Sequence, residues 1–198
     1  IIGFRDQLAP PYPGADEALD QALAKKEFPV VLADSADNAG GGAPSDATFI
    51  LERVLARGIT DVATGPFWDP VAVQLCFEAG EGAQIKLRVG GKVAPVSGQP
   101  LDLDCEILAL KRDAVMTGLA GTPALLGDVA VVRTQGVTIV MNTSRTQAMG
   151  TDLFTQFGVD LQAMKLIIVK SSQHFYASYS KVGRHVIYVE TPGAITQD

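Results

Sequence analysis

The sequence predicts an α/β fold, in which a mostly parallel sheet is flanked by helices and carries an inserted antiparallel β meander. Two continuous apolar runs, residues 30–33 and residues 166–169, are typical of strands buried on both faces of a parallel sheet. Between them, over about residues 84–141, apolar and polar residues alternate, as in antiparallel strands with one solvated face. We therefore expect the meander to be inserted in, or appended to, an α/β unit.

The domain is expected to begin with a helix over residues 15–23. Residues 1–14 end in a cluster of prolines that prevents a regular helix, so we interpret them as a linker or the end of a preceding element. Apolar residues then recur at helical spacing, while acidic side chains face away from them. Residues 15–198 are assigned to the domain itself.

The turn after the first strand is the most conspicuous polar feature of the chain. It carries two carboxylates, an amide and three glycines, namely Asp34, Asp37, Asn38, Gly40, Gly41 and Gly42. Ligands bind open α/β sheets at the carboxyl ends of their strands, and glycine lets a ligand approach the main chain closely. We expect Ser45 or Asp46 to cap the following helix, whose N-terminus would face the same space. A plain connector between strand and helix would use similar residues, so both interpretations stay open.

A second strand-to-helix turn is predicted at residues 65–70, after a short strand at residues 61–64. Asp69 suits the N-cap position of the next helix, and Pro70 suits its first helical position. Trp68 either packs against the core or lines a cleft, and packing is the favoured interpretation.

The end of the meander leads into a polar segment. Residues 134–136, Thr-Gln-Gly, predict a hairpin turn between two alternating strands. Arg145 follows the second of these strands. Its guanidinium is suited to bidentate recognition of a carboxylate, although an isolated arginine also commonly belongs to a structural ion pair.

The second continuous apolar strand, residues 166–169, ends at another polar cluster. The candidate binding residues there are Ser171, Ser172 and Gln173, and the candidate catalytic residue is His174. If this strand lies parallel to residues 30–33, these side chains emerge near Asp34 and Asp37. A helix to about residue 181 and a strand at residues 186–189 complete the predicted elements.

Composition narrows the classes of function. The 198 residues carry a net charge of -6, which argues against nucleic acid or an acidic membrane surface as a partner. No run is long or apolar enough to span a bilayer, and no signal peptide is evident, so we expect a cytoplasmic protein. The two cysteines, Cys76 and Cys105, fall on apolar faces and are interpreted as small buried hydrophobic residues.

Several chemistries are compatible with these residues. Asp34, Asp37 and His174 could hold a divalent metal ion that activates water, or could transfer protons without one. A serine nucleophile served by His174 is less favoured, because no G-x-S-x-G elbow is present. A module that binds a small anion at the glycine-rich turn, or that serves in assembly, is a non-catalytic alternative.

Four stretches resemble, in order and spacing, the C-terminal domain of the MlrC family, the microcystinase C-like metallopeptidases. They are residues 34–44, residues 65–70, residues 145–148 and residues 169–175. The resemblance extends from about residue 15 to the C-terminus.

The resemblance implies a two-part enzyme whose N-terminal domain holds zinc through an Asp-x-His pair and a further histidine. No Asp-x-His occurs in this sequence, so we expect no metal ligand and no cofactor in this chain itself. The chain is then expected to be the C-terminal part of a zinc-dependent amide-bond hydrolase, inactive alone. Its expected partners are the N-terminal catalytic domain and a peptide or other amide substrate. Asp34, Asp37 and His174 would assist proton transfer in a shared cleft, where the remaining polar residues of both turns and Arg145 would bind substrate.

Overall fold

One eight-stranded mixed sheet runs through residues 12–195, which are the residues that this computed structural model describes. Its strands are β1 (Val30–Asp34), β2 (Val62–Trp68), β3 (Gln84–Val89), β4 (Leu101–Thr117), β5 (Pro123–Thr134), β6 (Val137–Asn142), β7 (Leu166–Val169) and β8 (His185–Val189). The α-helices of the same residues are α1 (Ala15–Leu23), α2 (Phe49–Ala56), α3 (Pro70–Ala79), α4 (Asp152–Thr155) and α5 (Tyr176–Tyr179).

The strand order across the sheet is β3-β4-β5-β6-β2-β7-β1-β8. Neighbours from β6 to β8 run parallel, whereas β3, β4, β5 and β6 form an antiparallel meander. The predicted fold class is therefore confirmed. The meander joins the parallel part through the pairing of β6 with β2, so both belong to one continuous sheet.

Helices cover both faces of this sheet. α1, α2 and α3 pack on one face with Leu32 and Ile168, whereas α4 and α5 pack on the other with Val31 and Ile167. Every residue of β1 and β7 is buried as a result. This two-sided coverage explains why both strands are continuously apolar in sequence.

The helix after the glycine-rich turn begins later than predicted. α2 begins at Phe49 with Thr48 at its N-cap, so the prediction of a cap at Ser45 or Asp46 is wrong. Ser45 has a left-handed backbone with φ of 66°, and the Asp46 carboxylate accepts hydrogen bonds from the backbone of residues 92 and 93. Asp46 thus connects the turn to the loop after β3 instead of capping the helix.

Of the two other predicted turns, the hairpin turn is confirmed, whereas the strand-to-helix turn is shorter than predicted. β2 continues to Trp68, so residues 65–68 are strand and Asp69 alone separates β2 from α3. Asp69 is the N-cap of α3, where its carboxylate accepts the N–H of Ala72 at 3.2 Å, and Pro70 is the first helical residue. Gln135 and Gly136 connect β5 to β6 with φ of 47° and 80°. Positive φ at both central residues is the geometry of a type I′ hairpin turn.

Both cysteines are free and buried, as predicted. Burial, reinforced by the proximity of Cys105, raises the pKa of the Cys76 thiol to about 12. Burial also raises the pKa of Cys105 to about 11. Neither thiol is therefore a reactive thiolate near neutral pH.

The predicted linker, residues 1–14, lies largely outside the described residues. Of its last residues, Tyr12 stacks on Tyr188 with ring centroids 5.2 Å apart, and Gly14 forms a bridge to Glu190. Within residues 12–195, no helix has the length and apolar character needed to cross a membrane.

Candidate functional site

Three loops meet at the carboxyl edge of the parallel strands. β7 lies between β1 and β2 with all three strands parallel, and β6 is the next parallel neighbour of β2. The loops that follow β1, β7 and β6 therefore leave the sheet at the same edge. They carry most of the predicted site residues. This juxtaposition was expected if the two apolar strands, β1 and β7, lie side by side and parallel, as they do.

Beneath the surface of this edge lies a buried ion pair. Asp37 is fully buried and accepts hydrogen bonds from the backbone N–H groups of Ser45 and Ala47, each at 2.7 Å. The Nζ of Lys170 donates to Asp37 at 2.8 Å and to the carbonyl oxygen of Ala47 at 2.6 Å. It also lies 4.4 Å from the centroid of the Phe67 ring. Lys170 therefore holds the turn after β1 against the end of β7.

Asp34 is a second buried carboxylate of the same cluster. Its Oδ1 accepts the hydroxyl of Thr191 at 2.9 Å, and its Oδ2 lies 3.5 Å from the Nζ of Lys170. Burial raises the pKa of Asp34 despite the opposing effect of Lys170. Burial lowers the pKa of Lys170, but Asp37 and Asp34 outweigh it and raise that pKa above its ordinary value. The ammonium form of Lys170 is thus the one that the folded protein favours.

The structure separates the carboxylates from His174. Asp34 and Asp37 are buried and bound by Lys170, whereas His174 is exposed. Nowhere in residues 12–195 do three or more histidine, cysteine or carboxylate side chains meet in a group that could hold a metal ion. The donors present at this edge therefore do not fit a zinc site.

A layer of polar side chains covers the buried cluster. The Nδ2 of Asn38 donates to the hydroxyl of Ser172 at 2.7 Å, while the Oδ1 of Asn38 accepts the N–H of Gly40 at 3.0 Å. Ser172 is half-buried and Gln173, the next residue, is exposed. Asn38 thus connects the turn after β1 directly to the turn after β7.

Gln147, in the loop after β6, makes the third connection. Its Oε1 accepts the hydroxyl of Ser171 at 3.1 Å, and its Nε2 lies 2.9 Å from the Nδ1 of His174. The backbone N–H of Ala148 donates to the carbonyl oxygen of Lys170 at 3.1 Å. The amide of Gln147 is therefore in contact with two predicted site residues.

The glycine-rich turn uses its own amides internally. The N–H groups of Gly41 and Ala43 donate to the carbonyl oxygen of Asn38, and that of Gly42 donates to Ala39. Position 42 requires glycine, because its φ is 96° and residues with a Cβ rarely adopt that conformation. With these donors already satisfied, the turn does not offer the row of free N–H groups that an anion-binding nest requires.

Arg145 lies over Trp68, the last residue of β2. The guanidinium carbon is 3.9 Å from the centroid of the indole ring, and the indole N–H donates to the carbonyl oxygen of Thr143 at 2.9 Å. Arg145 is exposed. The stacking restrains a long side chain while leaving its N–H groups available to a ligand.

Sequence reasoning assigned no role to Lys170 or Gln147. Both lie inside the polar stretches that were recognised, but their contacts are made to residues far away in the chain. One signal could have indicated Lys170: a lysine directly after a fully buried strand needs an anionic partner nearby.

The sequence comparison decides the family. The family model for the MlrC C-terminus matches residues 32–198. The chain belongs to the MlrC C-terminal family. The MlrC match includes every loop of the candidate site, and the resemblance expected from the four sequence stretches is confirmed.

Two similar proteins support the MlrC assignment. Microcystinase C from Sphingomonas sp is 41% identical over 171 residues, which cover 86% of this chain and 34% of that protein. A crystal structure from Mesorhizobium sp. BNC1, described as a "Putative metallopeptidase", superimposes with a TM-score of 0.84 at 28% identity. It covers 99% of this chain, which in turn covers 40% of that chain. The chain thus spans between a third and two fifths of the length of these MlrC relatives.

Proposed function

We propose that this chain is the C-terminal domain of a peptidase-like hydrolase and forms one wall of its substrate cleft. The observation that carries the proposal is the polar layer at the carboxyl edge of the sheet. There Asn38, which is 6% exposed, donates to the hydroxyl of Ser172 in the neighbouring loop, and the half-buried Ser172 and the exposed His174 reach the surface of the edge. The relatives named above suggest the reaction class, since the Mesorhizobium structure is described as a "Putative metallopeptidase".

The residues of this edge would divide the work between binding and support. Arg145, restrained by Trp68, would bind a carboxylate of the substrate. Ser172 and Gln173 would hydrogen-bond its amide groups, with Asn38 orienting the hydroxyl of Ser172. The exposed glycines, residues 40–42, would let its main chain approach closely. His174 would contact the reacting group.

We assign a supporting role to the buried carboxylates. Asp34 and Asp37 would act through Lys170, which joins the two strand ends on which the surface residues stand. Ser171 is buried and would act similarly, by orienting Gln147. None of these three would touch the substrate directly.

The metal is proposed to lie outside the described residues. Their donors do not fit zinc, so we expect the N-terminal domain that the family resemblance implies to hold it. When bound there, zinc would supply Lewis-acid activation of the scissile amide or of water.

A domain replacement tests this function. This chain would replace the matching 171-residue stretch of Microcystinase C, and hydrolysis would be measured on a substrate that intact Microcystinase C cleaves. We expect metal-dependent hydrolysis by the chimera and none by this chain alone. His174→Ala should lower kcat, and Arg145→Ala should raise KM, each by at least about tenfold.

Arg133→Ala is the matched control for Arg145→Ala. Arg133 is exposed but pairs with Thr138 near the start of β6, at the opposite edge of the sheet. Its replacement should leave both constants unchanged. Hydrolysis by the isolated chain, or an active chimera indifferent to His174→Ala and Arg145→Ala, would refute the proposed function.

A further inference from the structure

In the contact between Gln147 and His174, the chemistry of the amide determines which atom donates the hydrogen bond. The Nε2 of a glutamine amide carries two hydrogens and no lone pair, so it can only donate. It lies 2.9 Å from the Nδ1 of His174. For this contact to be a hydrogen bond, Nδ1 must be the unprotonated nitrogen, and the proton of a neutral imidazole must then be on Nε2.

Two neighbours hold the Gln147 side chain in place. The Oε1 accepts the hydroxyl of Ser171, which is fully buried and therefore shielded from competing water. On the other side, Gly40 packs so close to Nε2 that an added Cβ would overlap it. Glycine at position 40 thus leaves the space in which the Gln147 amide stands. The same contact gives a reason for a glycine at a position whose backbone φ does not demand one.

We propose that Gln147 is a positioning residue that holds His174 as the Nε2–H tautomer, so that His174 presents a hydrogen-bond donor to the substrate. The inference deepens the proposed function and rests on it for the identity of the substrate group. An N–H aimed at a reacting amide is suited to stabilising negative charge that develops on its oxygen. It is not suited to general-base catalysis, because the lone pair of the neutral ring is already engaged by Gln147.

The test reads the tautomer directly in the 198-residue chain, with no substrate or metal. The chain contains two histidines, so long-range ¹H–¹⁵N correlation spectra of the labelled protein show two imidazole rings. His185→Gln assigns them. The spectra are recorded near pH 8.5, roughly two units above the ordinary imidazole pKa of about 6.5.

We expect a pyridine-type Nδ1 and a pyrrole-type Nε2 for His174 in the native chain. Gln147→Glu replaces the donor by a carboxylate that accepts Nδ1–H, so the two nitrogen signals should exchange character. Gln147→Met keeps the length of the side chain without a donor and should give averaged signals from both tautomers. The His185 ring reports retention of the fold and should not change.

Two results would overturn the inference: a pyrrole-type Nδ1 in the native chain, or an unchanged His174 tautomer in folded Gln147→Glu. Either can occur while the chimera remains dependent on His174, so the proposed function would survive it. Conversely, the expected tautomer together with a chimera indifferent to His174→Ala would uphold the positioning and refute the catalytic role. The two ideas therefore fail separately.

Discussion

Lys170 is the residue on which the geometry of the candidate site depends most. Its side chain is 3% exposed, and its ammonium is bound by two carboxylates and a carbonyl oxygen. Its principal partner, Asp37, is 133 positions away in the sequence. No local pattern encodes that distance, which is why the acidic turn was predicted while the cation that holds it was not.

Replacing Lys170 by methionine should strongly destabilise the protein. The substitution keeps the volume but leaves Asp34 and Asp37 buried without their counter-charge, which costs about 3–5 kcal/mol in comparable buried pairs. Urea unfolding measures the change in the free energy of unfolding. Lys165→Met is the control: Lys165 pairs with Asp61 in solvent and its loss should matter little. Equal effects of the two substitutions would contradict the role given to Lys170.

Tyr179 should make the fold sensitive to alkaline pH. Burial, with a further contribution from Asp152, raises its pKa well above the ordinary 10.0. Above about pH 10 the folded protein keeps a proton that the unfolded chain loses. The contribution of Tyr179 to the free energy of unfolding is therefore fully present below about pH 10 and decreases above it. The native chain should lose about 1.4 kcal/mol more than Tyr179→Phe between about pH 9 and pH 11.

Comparing how the free energy of unfolding changes with pH in the two proteins removes other effects of the Tyr179→Phe substitution. The variant also loses the hydrogen bond from the Tyr179 hydroxyl to the carbonyl oxygen of Gly150, but that loss is the same at every pH. Urea unfolding at the two pH values gives the difference. Parallel pH profiles for the two proteins would show that Tyr179 does not titrate in this way.

At the scale of elements, strands were predicted well and loops less so. β1 and β7 can be recognised by their continuous apolar residues, because both faces of these strands are buried. The meander can be recognised by alternating apolar and polar residues, because its strands are buried on one face. The loop beyond Gly42 does not follow a local rule. Asp46 looks like a helix cap but binds residues 92, 93 and 97, so tertiary contacts override the local preference.

The hairpin turn between β5 and β6 offers a stabilising substitution. Gln135 has φ of 47°, a left-handed conformation that asparagine adopts more readily. Gln135→Asn should therefore raise the free energy of unfolding by about 0.5–1 kcal/mol. Gln135→Val, with a branched Cβ, should lower it. Thermal unfolding of both variants checks the prediction, and stabilisation by valine would contradict it.

At the scale of the whole molecule, the described residues present only one side of a proposed cleft. Family membership could be predicted from four motifs, because they keep their order and spacing over most of the chain. The roles within the site could not, because they depend on which side chains the folded chain buries. The sequence predicts a catalytic role for both Asp34 and His174, yet Asp34 is 1% exposed whereas His174 lies at the surface.

A zinc titration followed by calorimetry tests whether the metal lies outside this domain. We expect no tight one-to-one binding by the folded 198-residue chain, since its described residues lack a three-ligand cluster. His174→Ala should behave identically. Tight binding that His174→Ala abolishes would instead mean that this domain houses the metal, and the proposal of a metal site elsewhere would be wrong.

The stacking of Arg145 on Trp68 gives the protein a natural optical probe. Trp68 is the one tryptophan in the sequence, so the intrinsic emission of the chain at long wavelength comes from a single indole. That indole lies directly beneath the proposed carboxylate-binding guanidinium. A ligand that engages Arg145 alters the charge and solvent around the ring, and the emission of unlabelled protein follows occupancy of the site.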